Sequence, residues 1–106
     1  MYYMLLPSLE QRQALIAHLK GRGVSSVFHY QPLHLSEMGR RFGGRDGDCP
    51  VTEAAGDRLL RLPFYTDLAD DDQRRAIDAI KDFAVDRSRK LGDDVFDAPQ
   101  RWRSAA

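Results

Sequence analysis

Three short apolar runs, each stopped by a proline, limit what this chain can fold into: "YYMLL" before Pro7, "SVFHY" before Pro32, and Arg61 to Phe64 around Pro63. Branched and aromatic residues in runs this short favour extended backbone, and proline, which has no amide hydrogen, ends a strand ladder. The runs are therefore read as three strands. A chain of 106 residues has room for one core, so the strands must share a small sheet with the helices that lie between them.

The helices carry their own signals. Ser8 starts the first: its hydroxyl can accept from the first turn while Gln11 reaches back, and Leu15, Ile16 and Leu19 form an apolar stripe. Lys20 and Arg22 suit the negative end of that helix, and Gly21 or Gly23 can take the left-handed conformation that stops it. Thr52 is read as the cap of a second helix, with Ala54, Ala55, Leu59 and Leu60 on its apolar face. Asp70, Asp71 and Asp72 lie at the positive end of a last one, whose apolar residues Ala76, Ile77, Ile80, Phe83 and Ala84 recur at helical spacing. Between the second strand and the second helix, "LHLSEMGRRFGGRDGDCP" has too many glycines for a strand and at most one helical turn near Ser36 to Arg40.

The result is an α/β (α+β) domain, a small three-stranded sheet packed with two to three helices. It is expected to cover residues 1–85, with 86–106 as a flexible or docking tail, because the apolar spacing decays after Val85. No internal repeat is visible.

Composition removes several function classes. The apolar runs are too short to cross a bilayer. The start of the chain has neither a basic leader nor a small-residue cleavage site, which makes the cytoplasm the expected compartment. Sixteen basic residues balance sixteen acidic ones, so the long-range attraction used by nucleic-acid binders is missing.

Candidate chemistry is sparse. "FGGRDGD" lacks the strand, turn and helix context of a phosphate loop and reads as a mobile turn. His29, His34 and Cys49 are metal-ligand types, but their number and spacing fall short of a zinc site. Cys49, the single cysteine, sits between Asp48 and Pro50, and a neighbouring carboxylate raises a thiol pKa, which argues for an inert loop residue. His18 reads as a solvated or half-buried helix residue.

Four phrases taken together point further: "MYYMLLP", "LIAHLKGRGVSSVFHYQPLHLSEMGRRFG", "PVTEAAGDRLLRLPFY" and "DDDQRRAIDAIKDF". In this order and spacing the chain, from Tyr2 to about Phe83, resembles the C-terminal portion of the nucleotide-sugar aminotransferases of the DegT/StrS type. It is most similar to the branch that aminates dTDP-4-oxo-6-deoxyglucose to dTDP-4-amino-4,6-dideoxygalactose, a step of lipopolysaccharide or cell-surface polysaccharide biosynthesis.

The resemblance implies the C-terminal wall of a fold-type I enzyme, whose large N-terminal domain carries pyridoxal phosphate (PLP) on a lysine. It assigns no cofactor-binding or catalytic residue to this chain. Lys20, Lys81 and Lys90 do not match the Schiff-base lysine, and the isolated chain is expected not to transaminate. Met1 falls where the family continues into its large domain, and Ala69 replaces a frequent serine or threonine cap, a loss the three aspartates can offset.

By the same resemblance the "FHYQPLH" loop lies on the substrate side of the cleft. That makes His29, Tyr30 and His34 candidates to contact the sugar or its phosphates, and Arg41, with Arg40 and Arg45, candidates for the diphosphate. A plainer account leaves Phe28 and Tyr30 as strand packing, the histidines as loop braces, the loop arginines as solvated groups, and Arg58 and Arg61 as structural ion-pair residues. The implied partners are a large PLP-binding domain in the same or another chain, a nucleotide sugar and a second copy of the chain. The alternative is a stand-alone nucleotide-sugar-binding or protein-interaction module.

Overall fold

The computed structural model describes residues 1–91; in it the first two apolar runs supply β1 (Tyr3–Leu5) and β2 (Val27–Phe28), while β3 (Leu59–Arg61) shares only Arg61 with the expected run Arg61 to Phe64. They form one antiparallel sheet in the order β1-β3-β2, with the last strand in sequence at its centre. Four α-helices complete the α+β architecture: α1 (Leu9–Gly21), α2 (Glu37–Arg41), α3 (Pro50–Arg58) and α4 (Asp70–Leu91).

The register decides what each sheet face carries. Met4 and Phe28 lie opposite Leu60, while Tyr3 and Val27 lie opposite Arg61. Directly paired residues share a face, so Met4 and Leu60 turn toward the helices and Tyr3, Arg61 and Val27 turn away. The core forms on the first side from Leu6, Leu15, Leu19, Val24, Leu60 and Ala79, with Met4, Ile16, Ile80 and Phe83 packed around it.

α1 begins as expected, with the Ser8 hydroxyl accepting from the Gln11 amide at 3.2 Å. Its end is more informative. Gly23 takes a φ of 71°, its amide donates to the Lys20 carbonyl, and the next amide, of Val24, donates to the Leu19 carbonyl at 2.9 Å. This paired return is the Schellman arrangement, in which the residue after the glycine packs on the last turn. Val24 and Leu19 are both buried, so the stop signal also delivers the chain into the core.

Two polar residues of α1 tie the helices together. Arg12 is buried, donates to the Gly56 carbonyl at 3.0 Å and lies 5.4 Å from the Phe28 ring centroid; a cation suits that last turn of α3. His18 is half-buried and bridges to α4. Arg22 approaches its Nδ1 at 3.1 Å and can only donate, so Nδ1 accepts and Nε2–H donates to the Ala79 carbonyl at 2.9 Å. Its ring also meets Phe83 edge-on at 5.2 Å.

Several boundaries move from their expected places. β2 has two residues, so His29 and Tyr30 lie beyond it. α3 starts at Pro50 with Cys49 in the cap position, not at Thr52, because proline is pre-set for the first helical position. Ala54 and Ala55 of α3 are exposed, and Leu59 and Leu60 belong to β3, which therefore begins before Arg61. Pairing with β1 fixes that strand, since bonds from Leu6 N–H to the Arg58 carbonyl and from Leu62 N–H to the Tyr2 carbonyl bracket it. Among the described residues of α4 Ala79 is buried, while Ile77 is exposed. That helix runs on to Leu91, and the remainder of the expected tail, 92–106, lies outside the described residues.

Candidate functional site

The segment after β2 is a closed knot, not the mobile turn its glycines suggest. Pro32 leads into a single 3-10 turn, Leu33–Leu35. The Ser36 hydroxyl donates to the Leu33 carbonyl at 2.7 Å and accepts the Gly39 amide at 3.0 Å, which starts α2. Gly44 N–H then returns to the Gly39 carbonyl at 3.0 Å, and the Arg45 amide donates to Asp48 at 2.8 Å. A side chain at Gly39 or Gly44 would run into the His34 carbonyl, so glycine is required at both positions by contact with neighbouring backbone.

Glu53 holds the knot to α3. Its carboxylate accepts from His34 Nε2–H at 2.8 Å, from the Gly47 amide at 2.9 Å and from the Cys49 amide at 3.2 Å. The first of these is the main cause, joined by the two amides, that holds the Glu53 carboxyl below the usual carboxylate range, against partial opposition from burial. Ionised glutamate is thus the form the fold prefers. The stabilisation is complete above the range where an unfolded glutamate titrates, about 4.3, and is lost as pH falls through the lower folded value. A urea series from pH 6 to 3 checks this: the unfolding midpoint of the natural chain falls with acid, and that of E53Q starts lower and falls less. Equal slopes would remove Glu53 as the anchor.

The residues singled out in the sequence separate into distinct settings. His34 turns inward, half-buried against Glu53. Arg41 is exposed on α2 and pairs with Glu37 at 2.6 Å, and Arg40 pairs with Asp46 at 3.1 Å. His29 and Tyr30 meet at the end of β2, ring centroids 5.2 Å apart. His29 Nδ1 is buried without a hydrogen-bond partner. Tyr30 is 73% exposed, and the Arg61 guanidinium sits 5.1 Å from its ring centroid. Arg61 makes no ion pair among the described residues, contrary to its reading as an ion-pair residue, and its Nε is buried and unpartnered. Sequence reasoning assigns Arg61 only a structural role and Glu53 no role in the site, although the place of Glu53 four residues after the cap lets it accept the cap amide. The position of Arg61 beside Tyr30 depends on strand register, for which the sequence carries no local sign.

A cleft of about 720 Å³ lies elsewhere, between β1, the segment Leu62–Tyr65 and α4. Tyr2, Tyr3, Phe64, Leu68 and Ile77 give it apolar walls, with Lys81 and Asp72 among its polar groups. Pyridoxal phosphate needs an imine-forming lysine, an acid for its ring nitrogen and a cradle for its phosphate. Lys81 is exposed, and the helix end nearby opens with Asp70, Asp71 and Asp72, whose charge opposes a phosphate there. Lys20 is exposed at the end of α1. These residues do not fit the cofactor. Among the described residues no three histidine, cysteine or acidic side chains gather as metal ligands, no helix is long and apolar enough to cross a membrane, and Cys49 is free and exposed.

Residues 1–81 match the model of the DegT/DnrJ/EryC1/StrS aminotransferase family. The chain is 33% identical over 84 residues, 74% of its length, to an uncharacterised protein of Methanocaldococcus jannaschii, of which it covers 22%. It is 30% identical over 84 residues to the dTDP-3-amino-3,4,6-trideoxy-alpha-D-glucose transaminase of Streptomyces venezuelae, covering 78% of this chain and 22% of that protein. A protein of Streptococcus pneumoniae assigned as a sugar aminotransferase, solved in its PMP form, superposes with a TM-score of 0.73 at 28% identity, over 80% of this chain and 22% of that one. The chain therefore spans about a fifth of the length of the relatives it matches.

Proposed function

We propose, from the premise that this chain belongs to the DegT/DnrJ/EryC1/StrS aminotransferase family, that it forms the substrate-side wall of a PLP-dependent nucleotide-sugar aminotransferase and moves no amino group by itself. The observation that carries this reading is the outer sheet face. Tyr3, Leu5 and Val27 stand there 52%, 50% and 47% exposed, an apolar surface of the kind that marks an interface. A large domain covers it, as the chain's coverage of about 22% of its relatives leaves room for.

In that assembly the large domain would hold the cofactor and its lysine, and the group would supply the chemistry of amino transfer from glutamate to the keto-sugar. This chain binds and orients. Tyr30, exposed at the loop mouth, and His29 beside it offer hydrogen bonds to a hydroxylated sugar, and such groups fix orientation without covalent chemistry. His34 acts one step back, bracing the loop through Glu53, and Arg41, paired with Glu37, stands at its rim. The substrate we assign is a dTDP-4-keto-6-deoxy sugar, and the product dTDP-4-amino-4,6-dideoxygalactose, formed in the cytoplasm for cell-surface polysaccharide. The assembly is a homodimer of complete subunits.

One observation favours the stand-alone module instead: the loop closes on its own through Glu53 and needs no outside contact to do so. A single experiment separates the two. The chain is mixed with the large domain of a family member, and amino transfer from glutamate to the dTDP-keto-sugar is followed. Turnover above that of either piece supports the wall; none with several large domains, alongside calorimetric binding of the dTDP-sugar by the lone chain, supports the module.

A further inference from the structure

We infer that Arg61 is the phosphate-receiving residue of this chain, presenting its guanidinium beside Tyr30 and His29 to the diphosphate of a nucleotide sugar. The inference rests on the reading of the loop as a substrate wall and adds a residue to it. Each of the other arginines near the loop that invited this role has its charge in use or its place elsewhere. Arg40 is engaged by Asp46 and by the Leu35 carbonyl, Arg41 by Glu37 at 2.6 Å, and Arg58 by the Leu6 carbonyl at 2.7 Å. Arg45 is exposed and tied into the loop by its backbone amide, which donates to Asp48 at 2.8 Å.

Arg61 differs in three ways. No carboxylate meets it among the described residues, and its buried Nε lacks a partner, a state that costs free energy unless something else binds there. It emerges from the centre of the sheet, opposite Tyr3 on one side and Val27 on the other, so strand pairing fixes its backbone. Its guanidinium lies against the exposed Tyr30 ring, which holds the planar group by stacking and cation–π attraction while leaving donors free. The Tyr30 ring also meets His29, centroids 5.2 Å apart, whose Nδ1 is a second buried nitrogen without a partner. A guanidinium held flat with unused donors suits the paired oxygens of a phosphate, and the imidazole of His29 beside Tyr30 can add a further donor.

The test uses the full chain, labelled with nitrogen-15 and observed at the arginine Nε–H and histidine ring signals by NMR. Inorganic pyrophosphate is titrated first, then dTDP. Pyrophosphate is expected to shift Arg61 saturably with a Kd on the order of 1–10 mM, with His29 following and Arg41 unchanged. R61Q weakens this about tenfold or more, while R61K, which keeps charge but not the planar fork, falls between; unchanged dispersion of the amide spectrum in R61Q shows that the fold is kept. If Arg61 is silent to pyrophosphate while dTDP moves His29, Tyr30 or His34, the assignment of Arg61 is overturned and the substrate wall stands. If Arg61 responds to pyrophosphate and dTDP binds no more tightly and touches none of the loop residues, the anion site stands and the nucleotide-sugar reading falls. Silence in both titrations overturns both, and leaves Arg61 to a carboxylate of the covering domain.

Discussion

G39A is expected to destabilise the protein by about 2–3 kcal/mol, the cost of forcing extra volume into a filled site, although helix propensity alone would have it stabilise by up to about 1 kcal/mol. The two effects oppose each other at one atom. Gly39 is the third residue of α2, where alanine is the better helix former. A Cβ there, however, would collide with the Leu33 carbonyl oxygen and stand 2.7 Å from that of His34. Neither oxygen can retreat, because the Leu33 carbonyl already accepts from Ser36 and the His34 side chain is held by Glu53. A lowered urea midpoint with displaced His34 ring signals is the expected result. G21A is the control: nothing lies within 4 Å of its Cβ, and it sits on the last residue of α1, so it should be neutral or slightly stabilising. Stabilisation by both alanines would mean that the knot does not pack α2 against the 3-10 turn.

L60A is expected to cost about 3–5 kcal/mol, the range for emptying a filled core position. Leu60 is fully buried at the centre of the middle strand, between β1 and β2 and under α1. Among the described residues the core cluster has five other buried members, and a domain this small has about 5–10 kcal/mol in total. The variant should therefore lose most of its cooperative thermal transition by circular dichroism. L33A removes the same atoms from a side chain that is 85% exposed and should stay within about 0.5 kcal/mol. A comparable loss for the two would contradict the layout of the core.

Local rules made much of this legible in the sequence. The Ser8 cap, a glycine stop at Gly21 or Gly23, a single helical turn near Ser36 to Arg40 and the acidic start of α4 each depend on a few consecutive residues, and each is found, the stop at Gly23. Two of the three proline-bounded runs supplied strands for the same reason, while the third contributes only Arg61. Where the reading slipped, the deciding contact was distant. Leu59 and Leu60 fit a helical face by spacing, but their pairing with Leu5 and Met4 makes them strand. Ile77 and Ala79 are both apolar on α4, and only the approach of α1 buries Ala79 and leaves Ile77 out.

The candidate site divides in the same way. His29, Tyr30, His34 and Arg41 could be named from a phrase of sequence, yet the phrase could not say that His34 is committed to Glu53, that Arg41 is committed to Glu37, or that Arg61 arrives beside Tyr30. By itself the sequence determined the kinds of element, their order, most of their caps and the family, because hydrogen bonding and side-chain periodicity within one element act over a few residues. The tertiary structure alone decided the sheet order, the buried face and the neighbours of each charged group, because these follow from strand register and from which surfaces exclude water together, and residues far apart in the chain settle both at once.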